Sequence, residues 1–124
     1  PVIIDWESAW FYNPEHDFLE TALYWSQNPD MTVDYERLSA FIDGYTSIRS
    51  IRDTDWLMVL YSGFSAKLGW LEYNLKRALG IECVDEKEQE LGRKQVVSTM
   101  KEILEYEKQM DEVNQFLRKR IGVR

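Results

Sequence analysis

Pro1-Val-Ile-Ile-Asp5-Trp-Glu7-Ser-Ala-Trp10-Phe-Tyr-Asn13-Pro14-Glu-His-Asp17 opens the chain. Val2-Ile3-Ile4 is a β-branched apolar run ending in a carboxylate, which predicts a short buried strand with Asp5 at its exit. Asn13-Pro14 then signals the start of a helix, because a proline at the first helical position lacks only an N–H that would find no partner there. A carboxylate held at a strand end can reach a metal or a metal-bound phosphate in the cleft above it. It can equally cap an ordinary turn, and local pattern alone favours that plainer role.

Downstream of this stretch, apolar residues recur every three or four positions and predict four helices. The first runs from about Glu15 to Ser26 with Phe18, Leu19, Ala22 and Leu23 inward, and Asn28-Pro29-Asp30 ends it. Thr32 reads as the N-cap of the second, whose face is Tyr35, Leu38, Phe41, Ile42 and Tyr45. The third opens near Asp53, carries a row of Leu57, Leu60, Tyr61, Phe64, Leu68, Leu71, Leu75 and Leu79 as its core stripe, and closes at Gly80. Gly63, Ser65, Ala66 and Gly69 would let another backbone come close to it. Asp85 with Glu88 forms a capping pair for the fourth, in which Val96, Met100, Ile103, Leu104, Met110, Val113, Leu117 and Ile121 continue the spacing. Arg118, Lys119, Arg120 and Arg124 suit its negative C-terminal end. The polar stretch 82–94 reads as a loop and a solvated first turn. The expected fold is mainly α: a short N-terminal β-strand followed by about four helices, forming one unit over 1–124.

The 124 residues are 44% hydrophobic and 14% aromatic, enough for a single core, and no apolar run is long enough to span a bilayer. Lys+Arg 15 against Asp+Glu 22 leaves a net charge of -7, which argues against a nucleic-acid partner. The single Cys83 has no partner for an internal disulfide and no Cys/His neighbours of zinc-site spacing. No signal-like leader is visible, so a cytoplasmic location is the default expectation.

Ile4-Asp5-Trp6-Glu7 followed by Asn13-Pro14 and Asp17 resembles the stretch just after the catalytic loop in the aminoglycoside phosphotransferase and choline kinase-like family of small-molecule kinases. Leu68-Gly69-Trp70-Leu71-Glu72-Tyr73-Asn74-Leu75-Lys76-Arg77-Ala78-Leu79-Gly80 resembles a late helix of the same family, more weakly. The resemblance implies that Asp5 holds Mg²⁺ against the phosphates of ATP or GTP. It implies that Asp17 anchors the catalytic loop from the start of the next helix. It also implies the distal part of a protein-kinase-like C-lobe. The family's nucleotide lobe and its H-x-D-x-x-x-x-N catalytic loop have no counterpart here: His16, the one histidine, follows Asp5 rather than preceding it. The chain is therefore expected to be a C-terminal fragment of such a kinase, to be inactive alone, and to bind no cofactor by itself.

Further candidates are weighed residue by residue. Glu7 shares the face of Asp5 if the strand continues, which places it beside the metal. Kinases of the family act on hydroxyls of cationic molecules such as aminoglycosides or choline, and aromatic faces suit a desolvated ammonium. Trp10, Trp56, Trp70 and Tyr73 are candidates for that acceptor pocket, with core packing the equal alternative for each. Trp25 is expected in the core, Glu72 as an exposed partner of Lys76, and His16 at the surface. Two other functions remain open: a non-catalytic helical module for a partner or for self-association, and a degenerate kinase relative used only for binding.

Overall fold

The computed structural model describes residue 2, residue 4 and residues 11–122. The described residues are mainly helical, with four helices in the order α1 (Pro14–Ser26), α2 (Tyr35–Thr46), α3 (Trp56–Ala78) and α4 (Glu86–Ile121). No strand occurs among them. Val2 and Ile4 of the expected opening strand are 88% and 79% exposed, while residues 3 and 5 lie outside the described set. A strand requires a ladder partner and a face to bury, and the described residues offer these two neither. The only β-type pairing among them is an isolated bridge between Gln27 and Val33, closing the turn between α1 and α2.

Local chemistry starts and stops each helix. The Asn13 side chain accepts the Glu15 N–H at 3.0 Å and Pro14 takes the first helical position of α1. Asp34, not Thr32, caps α2, accepting the N–H groups of Glu36 and Arg37. Thr32 is diverted: its N–H and hydroxyl both donate to the Asp30 carboxylate, at 3.1 and 2.6 Å. Asp55, two residues beyond the expected Asp53, caps α3. Gly80 ends it with φ +72, its N–H donating to the Arg77 carbonyl while the Ile81 N–H donates to that of Lys76, the paired bonds of a left-handed helix terminus. Asp85 caps α4 through the Glu88 N–H, and Glu88 in return accepts the Val84 N–H.

α3 and α4 form a long antiparallel hairpin, α4 alone reaching about 54 Å over its 36 residues. α1 and α2 pack against the base of the hairpin, on one side. The core lies there: Phe18, Leu19 and Ala22 of α1, Leu38 and Ile42 of α2, Trp56, Val59 and Leu60 of α3, and Met110, Val113 and Leu117 of α4. Gln109 of α4 secures the loop between α1 and α2, accepting the Val33 N–H at 2.8 Å and donating to the Met31 carbonyl at 3.0 Å.

Beyond the core the expected stripe fails. In the outer half of α3 the buried residues are Asn74 and Arg77 rather than its leucines, Arg77 lying against Gly92 of α4. Leu68, Leu75 and Leu79 are 45%, 40% and 70% exposed, as is Tyr61 at 53%. The leucine row lies on a flank of the hairpin, because the glycine at 92 lets the two backbones approach along a different line from the one that the leucines occupy. Trp25, expected in the core, is 64% exposed, at the end of α1, edge-on to Tyr24. Among the described residues, no helix is long and apolar enough to cross a membrane.

Candidate functional site

The Asn13–Asp17 turn is built by its own sequence. The Asn13 carbonyl accepts the N–H groups of both His16 and Asp17, so the first turn of α1 forms as the chain leaves the proline. This arrangement leaves the Asp17 side chain in solvent. Its neighbours turn inward. Glu15 is 7% exposed and receives a two-pronged guanidinium from Arg52, with Nε at 2.8 Å and Nη2 at 2.7 Å. That hydrogen-bonded guanidinium holds the Glu15 carboxyl below the usual carboxylate range, against the opposing effect of burial. His16 is 8% exposed rather than at the surface, its ring stacked on Tyr12 at 5.5 Å. Its Nδ1 is buried with no hydrogen-bond partner among the described residues.

A cleft of about 630 Å³ opens beside this turn. Tyr12, His16 and Glu15 form one wall, and Arg52, Asp55 and Ser62 the other. Segment 11–13, the continuation of the opening motif, is thus part of the cleft wall. A second, more enclosed cavity of about 200 Å³ lies between α1, α3 and α4. Glu20, Lys67, Glu102 and Tyr106 supply its polar lining over an apolar floor of Leu60 and Val113. Tyr106 donates to the Leu60 carbonyl at 3.0 Å, and Lys67 Nζ sits 5.1 Å from its ring centre. Burial, with the Glu20 carboxylate nearby, pushes the Tyr106 phenol well above its ordinary value.

Comparison with known proteins returns no match: neither a family model, nor a curated protein, nor a solved structure resembles the chain. The site is therefore read from its residues alone. Asp5, Glu7 and Trp10 lie outside the described residues. Trp56 is 2% exposed and packs on Phe18 in the core, ring centres 6.2 Å apart. Trp70 and Tyr73 are about half exposed and stack on each other at 5.3 Å, with the Arg77 guanidinium over the Tyr73 ring at 5.1 Å. Trp70 stands fourteen residues along α3 from Trp56, about 21 Å. The structure does not bring these aromatics into one pocket. Among the described residues, no group of three or more His, Cys, Asp and Glu side chains could hold a metal ion.

Glu15 and Arg52 are cleft residues that the sequence did not single out, and His16, expected at the surface, is buried beside them. By sequence, Glu15 marks only the start of the first helix. Its partner is 37 residues away, and no local pattern announces the pair.

Proposed function

We propose that this chain is the C-terminal part of an ATP- or GTP-dependent phosphotransferase acting on a hydroxyl of a small molecule such as an aminoglycoside or choline. The observation that carries the reading is the folding of Asn13-Pro14-x-x-Asp17 as cap, first position and first turn of α1, with a solvent-facing Asp17 next to a cleft walled by the residues that follow Asp5. In this reading Asp5 is the metal-holding carboxylate, Glu7 stands beside it, and Asp17 anchors the catalytic loop from the start of α1. Mg²⁺ bound there neutralises phosphate charge. The stacked pair Trp70 and Tyr73 offers an aromatic face to a cationic acceptor. A cytoplasmic location accords with such a reaction. Without a nucleotide lobe or a catalytic base the 124-residue chain does not turn over.

A second reading, a helical module without chemistry, draws support from the exposed leucine row of α3. The coding sequence immediately before Pro1 separates the two. An upstream H-x-D-x-x-x-x-N loop following a nucleotide lobe supports the phosphotransferase, and an in-frame start codon at that point refutes it. A thermal-shift screen of the complete gene product with Mg²⁺-nucleotide and a panel of amino alcohols and aminoglycosides then identifies the acceptor.

A further inference from the structure

We propose that the uncovered flank of the α3–α4 hairpin is a self-association surface on which a second copy of this chain packs antiparallel, about a twofold axis passing level with Leu68 and Glu102. This inference stands independently of the phosphotransferase reading.

The flank carries two rows. On α3 it is the leucine row, with Tyr61, Leu68, Leu75 and Leu79 each 40–70% exposed. On α4 it is Arg93, Val97, Met100, Leu104, Glu107 and Asp111, spaced alternately by four and three, with Val97, Met100 and Leu104 exposed at 56%, 52% and 54%. Tyr61, Phe64, Glu107 and Asp111 line one shallow depression, so the two rows share a side of the hairpin. α1 packs on the other side, where Glu20 meets the cavity lined by Lys67 and Glu102. Exposed apolar rows of this length on a soluble helix pair mark an interaction surface.

Charge selects the occupant. The α4 row ends at one side in Arg93, which pairs with Glu90 at 3.3 Å on the same helix, is apolar in the middle, and is acidic at the other end, Glu107 and Asp111. An antiparallel second copy sets Arg93 against Asp111 and Met100 against Leu104, twice over, as a twofold interface demands. A parallel twofold arrangement would instead turn α4 onto the partner's α3 and leave Arg93 without Asp111. The same axis serves both helices. The α4 row is centred on Glu102, and the exposed α3 row, Tyr61 to Leu79, within two residues of Leu68. Gly92 abuts Arg77 and Ala78 while Tyr106 reaches Leu60, a register that holds Glu102 and Leu68 at one height. The flank is about 27 Å long and about 18 Å wide, on the order of 500 Å² per copy, the size of a small, reversible contact, which suits association at tens of micromolar. The product is a four-helix arrangement of two hairpins.

Sedimentation equilibrium of the 124-residue chain tests this. The expected result is a species of twice its 14.8 kDa mass at tens of micromolar. Leu68→Glu with Met100→Glu, both at exposed positions, weakens association at least 100-fold while helical circular dichroism is retained. Arg93→Asp weakens it about tenfold, and Arg93→Asp with Asp111→Arg restores it, because the pairing is exchanged within each symmetric contact. A monomer at 100 µM, a dimer indifferent to the two glutamates, or a double charge exchange that fails to restore association would each overturn the proposal.

Discussion

Gly92 of α4 lies so close to Arg77 of α3 that a Cβ on it would stand 2.8 Å from the Arg77 Cβ and equally near the Ala78 backbone nitrogen. The neighbour on one side is backbone and cannot swing away. Arg77 itself is 7% exposed and pairs with Glu88 at 3.3 Å, so the close approach also seals an ion pair at the closed end of the hairpin. Gly92→Ala should therefore destabilise the fold by about 2–3 kcal/mol in urea titration, despite alanine's better helix propensity. Gly69→Ala, on the same hairpin with nothing within 4 Å, should stabilise it by about 0.5–1 kcal/mol. Equal effects of the two substitutions would show that the helices are not in contact at Gly92.

Gln109 joins α4 to the backbone on both sides of Thr32. Gln109→Leu keeps the volume but leaves the Val33 N–H and Met31 carbonyl without their partner. A loss of about 1–3 kcal/mol is expected, with faster amide hydrogen exchange at Val33. Unchanged exchange at Val33 would mean that the loop is held by other contacts.

The Glu15–Arg52 pair makes stability depend on pH in a definite direction. The folded carboxyl titrates below its ordinary value, so its contribution is present above the unfolded pKa, near 4.5, and is lost as pH falls through the lower folded value. Arg52→Ala should lower Tm at pH 7, and the gap to the wild type should narrow below about pH 4. A gap independent of pH would assign the effect of Arg52 to packing rather than charge.

Trp56 and Trp70 separate stability from recognition. Trp56→Ala removes a core ring and should cost about 3–5 kcal/mol. Trp70→Ala, at a position 46% exposed, should change stability by no more than about 0.5 kcal/mol. Under the proposed phosphotransferase function, it should raise KM of the complete gene product for a cationic acceptor with kcat little changed. A stability loss at Trp70 as large as that at Trp56 would place both rings in the core.

What the sequence discloses and what it conceals divides along physical lines. Asn13-Pro14, Asp85 with Glu88, and Gly80 mark helix ends through bonds to residues within five positions, so α1, the end of α3 and the start of α4 were legible. Thr32 misled because Asp30, two residues away, competes for its hydroxyl and leaves the cap to Asp34. The row from Leu57 to Leu79 has true helical periodicity, yet periodicity does not say which side a partner helix takes. That choice was made by Gly92, whose contact lies on another helix. Gln109, Glu15 and Arg52 likewise act over separations of 37 to 78 residues. In the candidate site, the Asn13–Asp17 turn was legible for the same local reason. The difference in burial between Trp56 and Trp70 was not, because both fit one helix face and only packing reveals that one is capped by the core and the other is open.

The proposed function rests on Asp5 holding a divalent ion against a nucleotide's phosphates. Transfer of the γ-phosphate from ATP to an amino alcohol or aminoglycoside by the complete gene product, measured with and without Mg²⁺ for the wild type and for Asp5→Asn, tests it most directly. The account predicts Mg²⁺-dependent transfer by the wild type and its loss in Asp5→Asn with Tm within a few degrees. Transfer that survives in Asp5→Asn, or a complete product that transfers no phosphate to any acceptor in the panel, would contradict it.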